Sequence, residues 1–131
     1  MRLEDFLSQN TQSRNFSKGD MVFAAGDQAE AAFCIESGRV EIFQGAGDDV
    51  SVLAVLGPGD IFGEMALLRF DEYTLSARAT ADTKAFVIAP ELLQAQVRET
   101  PPLVRAILNA LVDRIHGLNG LLIDIDKANK L

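Results

Sequence analysis

A chain of 131 residues with 48% hydrophobic side chains is long enough to bury a core, which excludes a disordered segment and makes one domain the default. With 12 Lys and Arg against 19 Asp and Glu, the formal charge of −7 repels polyanions and leaves no basic footprint for nucleic acid. The single cysteine, Cys34, excludes an internal disulfide and a multi-cysteine metal site.

The first residues, Met1 to Leu7, contain no apolar run of signal-peptide length, and nothing later approaches the ~20 residues needed to span a bilayer. A cytoplasmic location without membrane contact is the expectation. Leu3, Phe6 and Leu7 fall at helical spacing and predict a short amphipathic helix over residues 1–10. From residue 14 to 89 the texture changes to short runs rich in Val, Ile and Phe. These predict strands at Arg14–Phe16, Met21–Ala24, Ala32–Glu36, Val40–Phe43, Val50–Val55, Asp60–Phe62, Thr74–Ala79 and Lys84–Ile88. In the third run, Ala32-Phe33-Cys34-Ile35, the thiol is expected to be buried and quiet. Between the runs stand Ser17-Lys18-Gly19-Asp20, Gly26-Asp27, Ser37-Gly38, the 45–49 segment and Gly57-Pro58-Gly59-Asp60, where Gly permits positive φ and Asp can bond nearby backbone. About eight short strands at this spacing predict a sandwich or a barrel.

Within this region, Phe62-Gly63-Glu64-Met65-Ala66-Leu67-Leu68 places an acid at a helix start behind a glycine. Free N–H groups of a first turn, approached through Gly, can cradle an anion, and Glu64 can accept hydrogen bonds from ligand hydroxyls.

After Ala89 the period becomes helical. Pro90 to Arg98 predicts one helix with Pro in its first turn, and Thr100-Pro101-Pro102 opens a longer one with Thr100 as N-cap. In the latter, Val104, Leu108, Leu111, Ile115, Leu118, Leu122 and Ile125 follow one another at intervals of 4, 3, 4, 3, 4 and 3, an apolar heptad seam that predicts pairing of two chains in parallel. Packing on the chain's own β region is the alternative, and Gly117 and Gly120 weaken the helix by about 1 kcal/mol each relative to Ala. No helix-turn-helix is expected after this helix. His116 has no clustered partners, and no phosphate-loop or nicotinamide fingerprint occurs, so neither a metal site, a catalytic residue nor a cofactor is expected and the chain does not read as an enzyme.

The 62–79 segment resembles the phosphate-binding cassette of cyclic nucleotide-binding domains, and the phrases Phe16 to Asp20, Ala25 to Asp27, Ile35 to Val40 and Leu56 to Glu64 occur in the family's order. The resemblance implies a mainly β fold with flanking helices: a double-stranded β-helix (jelly-roll) barrel over residues 14–89, closed by C-terminal helices over 90–131, all as one domain. It also implies a regulatory, signal-transducing role with cAMP or cGMP as ligand, ligand-dependent movement of the C-terminal helix, and homodimers formed through it, with the downstream protein partner unidentified. By that resemblance Gly63, Glu64, Met65, Ala66 and Leu67 would form the cradle and the ribose site, with Tyr73 and Thr74 on the phosphate side; Arg69, in the loop after the cassette helix, is long enough to be a further ligand candidate. The family's Pro-Arg pair is replaced by Glu72 and Tyr73. A Tyr hydroxyl lacks the charge and bidentate fork with which Arg meets phosphate, and Asp71 and Glu72 would repel one. Arg78 is expected to be exposed on the strand face opposite Tyr73. A degenerate member that binds no nucleotide and serves as an interaction or dimerisation domain is the competing reading.

Overall fold

The computed structural model describes residues 1–69 and 71–129, with side chains up to Ile115. It divides into two units, 1–93 and 94–131. The first begins with α1 (Leu3–Asn10), which buries Leu7 and ends where the Thr11 side chain and N–H both donate to the Leu7 carbonyl. Eight strands follow: β1 (Gln12–Phe16), β2 (Met21–Phe23), β3 (Ala32–Ser37), β4 (Val40–Gln44), β5 (Ser51–Leu56), β6 (Ile61–Phe62), β7 (Ser76–Ala79) and β8 (Thr83–Ile88), with the short helix α2 (Glu64–Leu68) between β6 and β7.

The strands form two antiparallel four-stranded sheets, ordered β1-β8-β3-β6 and β2-β7-β4-β5. This interleaving is the jelly-roll arrangement of two Greek keys. The expected closed barrel is corrected: no ladder joins the two sheets among the described residues, because the chain passes between them at turns. At the corner between β3 and β4, Gly38 has φ 103°, and the Thr83 hydroxyl accepts from the Arg39 N–H at 3.1 Å and donates to the Ala81 carbonyl at 2.9 Å. Three other turns share one device. In each, an Asp three residues on accepts the N–H of Ser17, Ala24 or Gly57 at 2.8–3.1 Å and returns its own N–H to the same residue's carbonyl.

Side chains alternate along β3, and both faces are covered. Phe33 and Ile35 enter the core between the sheets with Phe16, Val40, Phe62 and Ala79. Ala32 and Cys34 face the other way, under Leu7 of α1, Leu67 of α2, and Leu92 and Leu93 of the next helix. Cys34 is 0% exposed, as its sequence context predicts. Burying each large apolar side chain contributes about 1.5–3 kcal/mol.

The expected seventh strand, Thr74–Ala79, starts only at Ser76. Just before it, Tyr73 pairs with the loop between β2 and β3: its N–H donates to the Asp27 carbonyl and its carbonyl accepts the Gly26 N–H.

Two further helices are α3 (Pro90–Glu99) and α4 (Pro102–Asn129), the latter running through Gly117 and Gly120. Thr100 is not the N-cap of α4. Its hydroxyl turns back to the Gln96 carbonyl at 2.9 Å and closes α3. No helix among the described residues is long and apolar enough to cross a membrane, and no group of His, Cys, Asp and Glu among them is arranged to hold a metal ion.

Candidate functional site

The predicted cassette is built from the end of β6, α2 and the approach to β7. Phe62 is buried with its ring 5.4 Å from that of Phe33. Gly63 then adopts φ 80°, ψ 0° at the N-cap of α2, a left-handed conformation that strains any residue with a Cβ. A Cβ there would also lie 3.2 Å from Phe23 Cε2, so the ring would have to give by a few tenths of an ångström; the backbone requires glycine and the packing is tight around it. Glu64 opens α2, half-buried. Burial pushes its carboxyl above the usual carboxylate range, against an opposing pull from its own backbone N–H.

Met65 and Ala66 are half-buried beside it, and the Ala66 carbonyl accepts the Asp71 N–H at 2.9 Å. Leu67, expected in the cradle, turns its side chain away from solvent. It is buried in the outer cluster with Cys34 and Phe86, because a short helix lying on a sheet must bury one face. Arg69 is the exposed C-cap of α2, its N–H on the Met65 carbonyl at 3.2 Å. Thr74, Asp71 and Glu72 are exposed.

Tyr73, expected on the phosphate side, turns its hydroxyl into the protein. It is 7% exposed, its ring stacks on Phe23 at 3.7 Å with planes 7° apart, and its hydroxyl donates to the Ala31 carbonyl while the Ala31 N–H points back at 3.4 Å. Burial raises its pKa above the ordinary tyrosine value. The hydroxyl that the sequence offered to a ligand is therefore engaged by the protein. Phe23 and Ala31, which hold it, have no sequence signal beyond the apolar run Met21-Val22-Phe23 and a position just before β3.

Arg78 differs from expectation as well. It is half-buried: its Nε lies 3.0 Å from Glu41 Oε1, its Nη2 pairs with the same oxygen, and its guanidinium sits 4.8 Å above the Phe43 ring. Alternation from Tyr73 does not reach it, since β7 begins at Ser76, and the cross-strand register sets Arg78 opposite Glu41.

Comparison with known proteins bears on the same segment. The family described as "Cyclic nucleotide-binding domain" matches residues 13–100, from β1 through α3. The chain belongs to this family. Among its relatives is the cyclic AMP receptor protein of Thermus thermophilus, 38% identical over 104 residues, covering 79% of this chain and 48% of the relative. This cyclic nucleotide-binding domain also resembles the solved catabolite activator protein of that organism, with TM-score 0.72 and 34% identity over 95% of this chain and 60% of the other. The cAMP-bound form of the EAL enzyme Bd1971 matches at TM-score 0.75 and 29% identity, over 85% of this chain but 30% of the enzyme. The chain spans about half the length of the curated relatives it matches. It is thus a regulatory-type domain of mainly antiparallel β structure, and its kinship lies with the cyclic nucleotide-binding part of these proteins.

Proposed function

We propose that this domain is a ligand-sensing regulatory module that captures a cyclic nucleotide, with cAMP first and cGMP second, beside α2. The observation that carries this is Glu64, half-buried at the head of α2 behind a left-handed glycine, within the segment that the family match covers. Glu64 would accept the ribose hydroxyl, and Gly63, Met65 and Ala66 would border the ligand, with Thr74 on its phosphate side. Captured ligand would shift the C-terminal helix, and two copies would pair through α4 in the cytoplasm. Within the second unit, Val104, Leu111 and Ile115 are 53%, 47% and 46% exposed, which supports an uncovered seam there. Leu108 is half-buried, and the side chains of Leu118, Leu122, Ile125 and His116 lie outside the described residues.

Tyr73 favours a second reading, in which the domain binds no cyclic nucleotide and acts through protein contacts. Its ring and hydroxyl are committed to Phe23 and Ala31, so nothing at that position supplies the cation that phosphate wants. Calorimetric titration with cAMP and cGMP separates the two. Saturable binding weakened by Glu64→Ala supports the sensor; no heat at about millimolar ligand removes it. Sedimentation tests pairing: a dimer converted to monomer by Leu111→Asp with Ile115→Asp is expected, and a wild-type monomer at high concentration refutes it.

A further inference from the structure

A cleft of about 510 Å³ opens between β1, β8 and the loop joining β2 to β3. Of the residues expected around the cassette ligand only Tyr73 lines it, and Gly63, Glu64, Met65, Ala66, Leu67, Arg69 and Thr74 do not, so it is distinct from the cassette pocket and shares one wall, the Phe23–Tyr73 pair, with it. Its volume lies within the range of small-molecule sites. Its apolar floor is formed by Val22, Phe23, Phe33 and Val87.

The charges around that floor are of both signs and come from different elements. Arg14, on β1, sits with its guanidinium 6.0 Å from the Phe33 ring centroid, and among the described residues no hydrogen bond or ion pair engages its charge. Asp27 and Glu30 come from the loop; Asp27 spends one oxygen on the Ala24 N–H, and the Glu30 carboxylate holds no hydrogen bond among the described residues. A simple anion would gain Arg14 but meet two carboxylates, and a simple cation would gain the carboxylates but meet Arg14. A molecule carrying both charges on one end and an apolar group on the other satisfies all three surfaces.

We propose that this cleft binds a small zwitterion with an apolar body, the class of a free α-amino acid with an aliphatic or aromatic side chain. Its carboxylate pairs with Arg14, its ammonium with Glu30 and Asp27, and its side chain lies over Phe33 and Phe23.

Titration of the full chain with L-phenylalanine and L-leucine tests this, with phenethylamine and 3-phenylpropionate as singly charged controls. The amino acids are expected to bind saturably below about 10 mM and at least about tenfold tighter than either control. Arg14→Gln and Glu30→Gln should each weaken them by about tenfold with little change in thermal midpoint, both residues being exposed. No saturable binding, equal binding of a control, or binding unchanged in the double variant overturns the proposal. Cyclic nucleotide titration gives an independent answer, so failure here leaves the sensor reading untouched.

Discussion

Replacing Tyr73 with Phe removes one oxygen and leaves the ring stack with Phe23, 3.7 Å between centroids, in place. What is lost is the bond to the Ala31 carbonyl in a buried setting. A neutral buried hydrogen bond contributes about 1 kcal/mol net, and an orphaned buried acceptor costs about 1–3 kcal/mol, so Tyr73→Phe should destabilise the fold by about 1–3 kcal/mol. Tyr73→Leu gives up the stack too, adding about 0.5–1.5 kcal/mol. Urea denaturation followed by circular dichroism measures both, with an unchanged m-value as the check on two-state unfolding. A pH series sharpens the test. Burial raises the Tyr73 pKa in the folded state, so its contribution is fully present below the unfolded value near 10 and is lost as pH rises through the folded value. The gap between wild type and Tyr73→Phe should therefore narrow above about pH 10. A Tyr73→Phe protein within about 0.3 kcal/mol of wild type would refute the inferred burial of the hydroxyl, and a gap that does not respond to alkali would refute its titration.

Gly38→Ala should be among the most damaging single changes, because its Cβ would fall 2.5 Å from the Asp82 carbonyl oxygen and 2.6 Å from the Thr83 Cα at φ 103°. A loss of about 3 kcal/mol or more, read as a thermal midpoint lower by roughly 10 °C, is expected; a midpoint within a few degrees would contradict the packed corner. Arg78→Ala should cost about 1–2 kcal/mol through the Glu41 pair and the Phe43 ring together, and a double-mutant cycle with Glu41→Ala that shows no coupling would dismiss the pair. Glu64→Gln should raise stability at neutral pH, since burial raises the folded carboxyl pKa; the wild-type disadvantage is absent below the unfolded value near 4.3 and grows as pH rises through the folded one. A pH-independent difference between the two proteins would show that Glu64 is solvated.

The strands and turns were legible because their determinants are local. Each Gly-Asp turn closes on a carboxylate three residues from the N–H it accepts, and β3 and β8 carry unbroken apolar runs. What the sequence concealed depends on register between distant strands. Tyr73 meets Ala31 across 42 residues and Arg78 meets Glu41 across 37, and no local pattern encodes either meeting. Leu67 fits a ligand wall in a motif and a core in three dimensions, because only the fold reveals that α1 and α2 cover the same face of one sheet. Strand spacing likewise cannot say whether two sheets join at their edges. The cleft beside Arg14 was invisible for the same reason, since its lining comes from β1, β2, β3, β8 and the loop between β2 and β3, segments distant in sequence.

Tyr73 is the chain's one tyrosine, and there is no tryptophan. Near-ultraviolet emission excited at tyrosine wavelengths thus comes from a single side chain, set between the glycine that caps α2 and the wall of the Arg14 cleft. The protein carries its own optical label where its two candidate sites adjoin, and events at either can be watched in the native molecule without attaching a dye.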